Sequence, residues 1–163
     1  MTVTDVQKDL DALTLTITSE FDASVDRVWT VWQDPRLLER WWGPPTYPAT
    51  FVEHNLVPGG RAKYYMTSPE GDQYWGWWEI MTVDAPRTIE IRDGFGDDKG
   101  EPNLEMPTGI MRVDLTDRGG GTTMTIVSTH ATIEDLQQVL SMGQEEGMTL
   151  ALNQIDELLS LPS

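Results

Sequence analysis

Leu136, Val139, Leu140, Met142, Met148, Leu152, Ile155 and Leu159 fall mostly three or four residues apart near the end of the chain. That spacing gathers them on one side of an α-helix, and a helix with one apolar side must lie against something. Residues 132–161 are read as one long helix. It opens at Thr132, with Asp135 three residues on, as a capping box with a shortened acid. Gly143, Gly147 and Ala151 recur every fourth residue and line one face with almost no side chain. Glycine costs roughly 1 kcal/mol against alanine inside a helix, so the pattern needs a reason. Either the helix kinks near Gly143 or packs closely on a sheet, or it is hollowed to leave room beneath it.

The residues upstream supply the surface to be covered. Leu13, Leu15 and Ile17 alternate with Thr14, Thr16 and Thr18, the pattern of a half-buried strand. Ser24 caps a short helix carrying Val25, Val28, Trp29 and Trp32. Asp34-Pro35 starts a second with Leu37, Leu38 and Trp41, and Trp42-Gly43-Pro44-Pro45 ends it. Strand-like runs then follow at 51–57, 61–67, 74–83, 88–92, 109–116 and 122–130, divided by turn signals and by a polar segment at 93–107. Short connections between consecutive strands favour an antiparallel meander. The expected architecture is α+β: a seven-stranded curved antiparallel sheet wrapped round the C-terminal helix, with two short helices after the first strand. Residues 1–163 read as a single domain, and residues 1–10 as a loose N-terminal leader.

Acidic residues outnumber basic ones 27 to 11, a net charge of −16. Phosphate binding needs clustered Lys and Arg, so no nucleic-acid partner is expected, and anionic lipid is equally disfavoured. No run approaches the ~20 apolar residues that span a membrane, so no membrane insertion is expected. The chain has no Cys, which removes disulfides and thiolate metal sites and fits a cytoplasmic location. Asp93, Asp97, Asp98, Glu101 and Glu105 lack the spacing of a calcium loop and are read as a solvated lid. No cofactor or metal is expected.

Trp41-Trp42-Gly43-Pro44, Pro58-Gly59-Gly60-Arg61, the run 142–148 (Met-Gly-Gln-Glu-Glu-Gly-Met) and Asn153-Gln154-Ile155 occur in that order. Together they resemble the bacterial family named after activators of the heat-shock-protein-90 ATPase. That family lies within the START-like, Bet v 1-like (SRPBCC) superfamily of helix-grip folds. The resemblance implies a ligand-binding domain with a cavity between sheet and long helix, used across the superfamily for apolar molecules. No segment here resembles the separate chaperone-docking domain of the eukaryotic co-chaperones, so a chaperone role is not carried over.

Strand alternation offers candidates for the cavity wall. Val52, His54 and Leu56 share one face, as do Ala62, Tyr64 and Met66. Gly76, Trp78 and Ile80 oppose Trp75 and Trp77, and tryptophan on both faces leaves that parity open. Met111, Val113 and Leu115, then Met124, Ile126, Ser128 and His130, complete the apolar set. The candidate ligand-binding residues are His54, Tyr64, Met66, Trp78, Met111, Met124, His130, Gly143 and Gly147. The same residues would also make a filled core. Neither Cys nor a Gly-x-Ser-x-Gly run is present for nucleophilic catalysis. The reading therefore leans away from an enzyme. It ranks binding or carriage of a small hydrophobic molecule first, a cyclase- or hydratase-type enzyme second and a protein-interaction module third. A homodimer stays open.

Overall fold

A computed structural model describes residues 3–160. Strands β1 (Val3–Asp9) and β2 (Thr14–Phe21) lead into helices α1 (Val25–Gln33) and α2 (Pro35–Leu38). Six strands follow: β3 (Ala49–His54), β4 (Arg61–Thr67), β5 (Gln73–Asp84), β6 (Thr88–Phe95), β7 (Thr108–Arg118) and β8 (Gly121–His130). They form one antiparallel sheet in the order β1-β2-β8-β7-β6-β5-β4-β3. Three helices close the chain: α3 (Ile133–Ser141), α4 (Gln144–Leu152) and α5 (Ile155–Leu159). Among the described residues no helix is long and apolar enough to cross a membrane.

The sheet has eight strands where seven are expected, because residues assigned to a leader form β1. Val3 and Val6 give it an apolar side, and Val6 sits opposite Ile17 of β2. A bulge between Val3 and Asp5 breaks the alternation, and most of the strand is exposed, so the sequence reads as polar. The backbone N–H of Val3 donates to Asn153 Oδ1 at 3.1 Å, which ties the strand to the end of α4.

The single long helix is also corrected. Thr132 caps α3 as expected, its hydroxyl accepting from the Asp135 N–H at 3.1 Å. Gly143 then adopts φ +85°, a left-handed conformation that favours glycine, and the chain turns there before α4 begins. A second interruption at Asn153-Gln154 separates α5. The expected end at Leu161 lies outside the described residues.

A register shift between Phe51 and Glu53 corrects the predicted face of β3. The bulge leaves Val52 54% exposed and turns both Phe51 and His54 inward. On β5, Gly76, Trp78 and Ile80 face the helices. Trp77 is buried on the opposite side, its Nε1–H donating to the Phe95 carbonyl at 3.0 Å with the Arg92 guanidinium 5.5 Å from its ring centre.

Between the sheet and the helices lies an aromatic core of Trp32, Trp41, Trp42, Phe51, Tyr64 and Trp78. Trp78 is its centre, with ring centroids of Trp42 at 4.9 Å, Phe51 at 5.5 Å and Tyr64 at 6.2 Å. At the outer edge of the sheet, side chains of the α2 region take up the backbone of Phe51. Arg36 donates to its carbonyl at 3.0 Å, and Glu39 accepts from its N–H at 2.7 Å. Arg36 and Glu39 also pair with each other at 3.2 Å.

Candidate functional site

Glycines shape the walls of a space between the sheet and the C-terminal helices. On β5, Gly76 lets the Tyr64 ring lie across the strand from β4; a Cβ there would run into the ring. On β7, Gly109 does the same for His130 of β8, whose Cε1 and Nδ1 stand 3.0 and 3.1 Å from where a Cβ would be. On α4, a Cβ at Gly147 would meet nothing nearer than Pro44 Cγ at 3.8 Å. The result is a cavity of about 240 Å³ bounded by β4, β6, β7, β8, α3, α4 and the Trp42–Pro44 segment.

Six of the nine candidate residues line it: Tyr64, Met66, Met111, His130, Gly143 and Gly147. His54, Trp78 and Met124 do not. The His54 Nε2 lies 3.0 Å from the Trp32 carbonyl, so it carries the proton and donates, and burial holds the ring's pKa below its ordinary value. Met124 is fully buried and its sulfur accepts from Trp32 Nε1–H at 3.4 Å. Trp78 belongs to the aromatic core.

A residue that sequence reasoning placed in the solvated lid belongs to the cavity instead. Asp93 lies in β6, opposite Trp78 of β5 on one side and Gly109 of β7 on the other. The signal was present: the alternation that buries Ile89 and Ile91 continues through Asp93 and Phe95. The rest of the acidic segment is outside, where Asp97 Oδ1 accepts from the backbone of Lys99 and Glu101. Within 93–107 the chain thus turns from cavity wall to surface loop.

Register places the polar groups in one row. Asp93 pairs with Gly109, and Gly109 pairs with His130, so Asp93 and His130 flank a residue without a side chain. At ordinary strand spacing their Cα atoms stand roughly 10 Å apart, with the His130 ring leaning into the gap. Desolvation raises the Asp93 carboxyl to about 7 and pushes the Tyr64 hydroxyl above its usual range. Burial lowers His130 instead, keeping its ring neutral near pH 7. One nitrogen of the His130 ring and the buried Gln144 Oε1 have no hydrogen-bond partner. A largely apolar cavity thus holds polar atoms without partners and one group, Asp93, that exchanges protons near neutral pH. Among the described residues no cluster of His, Cys, Asp and Glu could hold a metal ion.

Residues 22–160 match the family described as Activator of Hsp90 ATPase homolog 1-like protein. A crystal structure of a protein from Mycobacterium smegmatis is 52% identical over 99% of each chain, with a TM-score of 0.91. A solution structure from Arthrobacter aurescens is 49% identical, covering 99% of this chain and 94% of that one, at a TM-score of 0.94. One from Staphylococcus epidermidis is 31% identical, covering 98% and 97%, at 0.83. None of the curated proteins compared matches this chain. The sheet gripping the C-terminal helices is the helix-grip arrangement.

Proposed function

We infer, for a chain that belongs to the Activator of Hsp90 ATPase homolog 1-like family, that it binds or carries a small hydrophobic molecule in the cavity beneath α3 and α4. The observation that carries this reading is the open space in front of Gly147, walled by Tyr64, Met66, Met111 and Met148. Space is costly in a core, where interiors otherwise fill to crystal-like density. At about 240 Å³ the cavity falls below the roughly 300–1,000 Å³ of drug-sized pockets, which favours one small ring system over a sterol or long acyl chain. We read residues 1–163 as a single binding domain. A cytoplasmic location suits its cysteine-free composition.

Turnover is the second reading, and one observation favours it: Asp93 and His130 flank the same glycine inside the cavity. Binding ranks first because His54 is turned to the Trp32 carbonyl, which leaves the cavity one histidine. Burying ~250 Å² of apolar ligand at roughly 25 cal/mol per Å² gives about 6 kcal/mol before association costs. A purely apolar ligand would therefore bind weakly, and the unpaired polar atoms are the source of the rest.

Filling the cavity tests this. Gly147→Leu projects a side chain into open space and removes a helix-interior glycine. The expected result is at least tenfold weaker binding of 2-phenylethanol by calorimetry, with cooperative unfolding retained. Undiminished binding, or loss of the fold, would show that the space in front of Gly147 is not the site. Native mass spectrometry of protein from its own host would identify a molecule that co-purifies.

A further inference from the structure

We propose that the cavity takes a small organic amine in its ammonium form, with the Asp93 carboxylate as counter-ion and the aromatic walls around its apolar part. This rests on the binding reading above and names the class of ligand.

The lining contains no lysine or arginine. Its ionisable groups are Asp93, Tyr64 and His130, and burial keeps the latter two neutral near pH 7. An anionic ligand would face the carboxylate with no cation to offset it. A cation answers the need of a desolvated carboxylate, which is costly to hold charged unless paired. An ammonium also brings three donors and no acceptor. The buried Gln144 Oε1 lacks a donor, and one nitrogen of the neutral His130 ring is an acceptor without a partner. Both line the same cavity as Asp93, as does Ser128.

The aromatic walls fit the same chemistry. Trp42, Tyr64 and Phe95 border the cavity, and aromatic rings attract a nearby ammonium through their quadrupoles. A protein of net charge −16 raises the local concentration of cations and repels anions before any contact is made. A neutral hydroxyl compound gains nothing from either field.

Binding should then depend on the charge of Asp93. The groups that face it are Tyr64 from β4 and His130 from β8, whose titration is itself influenced by Asp135 of α3. β5 and β7 contribute Trp78 and Gly109, and α4 contributes Gln144, none of which is charged. With the carboxyl titrating at about 7, its ionised fraction rises about tenfold between pH 6 and pH 8.

The test is calorimetric titration of wild type and Asp93→Asn with three probes of matched shape: 2-phenylethylammonium, 2-phenylethanol and 3-phenylpropanoate. At pH 8 the ammonium should bind wild type at least tenfold tighter than the alcohol, and the carboxylate should bind weakest. At pH 6 the ammonium advantage should shrink about tenfold, and at pH 7 binding should release a fraction of a proton, measured in two buffers of different ionisation enthalpy. Asp93→Asn should lose the ammonium advantage, read as the ratio of ammonium to alcohol affinity. If the alcohol binds wild type as tightly as the ammonium, or Asp93→Asn keeps the advantage, the ammonium proposal falls and the cavity reading stands. If none of the three probes binds, the cavity reading falls as well. Should the variant fail to fold, the pH and buffer dependence of wild type decides alone.

Discussion

Asp93→Asn raises the stability of the folded protein at pH 8 and leaves it nearly unchanged at pH 4. The carboxyl titrates at about 7 in the folded chain, above its ordinary value of 3.8. Between those two values the folded state keeps a proton that the unfolded state has lost. Stability therefore falls as pH climbs from about 4 and stops falling once pH passes about 7. Three units at 1.36 kcal/mol each set a ceiling of about 4 kcal/mol. Asp93 is only half-buried at a cavity wall, where solvent screens part of the charge, so roughly 2 kcal/mol is the expected gain. For a chain of this size that raises Tm by about 4–8 °C. Thermal denaturation followed by circular dichroism at both pH values checks it. An equal gain at pH 4, or none at pH 8, would remove desolvation as the cause.

Trp78→Ala costs about 3–5 kcal/mol, a large part of the 5–15 kcal/mol that holds a domain folded. Trp78 is 1% exposed and touches the rings of Trp32, Trp42, Phe51, His54 and Tyr64, so its removal opens a hole at their common centre. Trp78 does not line the cavity, so its effect on binding should follow the fold. Trp78→Phe keeps an aromatic body and should hold 2-phenylethanol affinity within about twofold while still losing stability. Urea unfolding of both variants measures this. A loss under about 1 kcal/mol for the alanine variant would mean the core closes over the gap.

The strands from Thr14 onward are legible because each buries one face, and period-two alternation survives along most of them. β1 is illegible for the opposite reason: as an edge strand it buries little, and its charged residues resemble a tail. Phe51 and Val52 exchange faces through a bulge, which a strict alternation cannot foresee. Gly143 and Gly147 look alike in the sequence, yet one turns the chain at φ +85° and the other opens space within α4. The approach of Asp93 to His130 depends on the pairing of three strands, and no local pattern records a register between residues 93, 109 and 130. Tyr64, Met66, Met111 and His130 needed only alternation within one strand.

An open sheet presents unpaired backbone groups along its outermost strand, and these can template the addition of a strand from another copy. At the β3 edge, both outward backbone groups of Phe51 are already engaged, one by a guanidinium and one by a carboxylate. An incoming chain would have to break a charge-assisted pair before forming its first new rung. The four-residue α2 contributes only Leu38 to the core, and its Arg36 with the following Glu39 blocks the edge at Phe51. The sheet can thus stay open at Phe51 without offering that point of its edge for polymerisation.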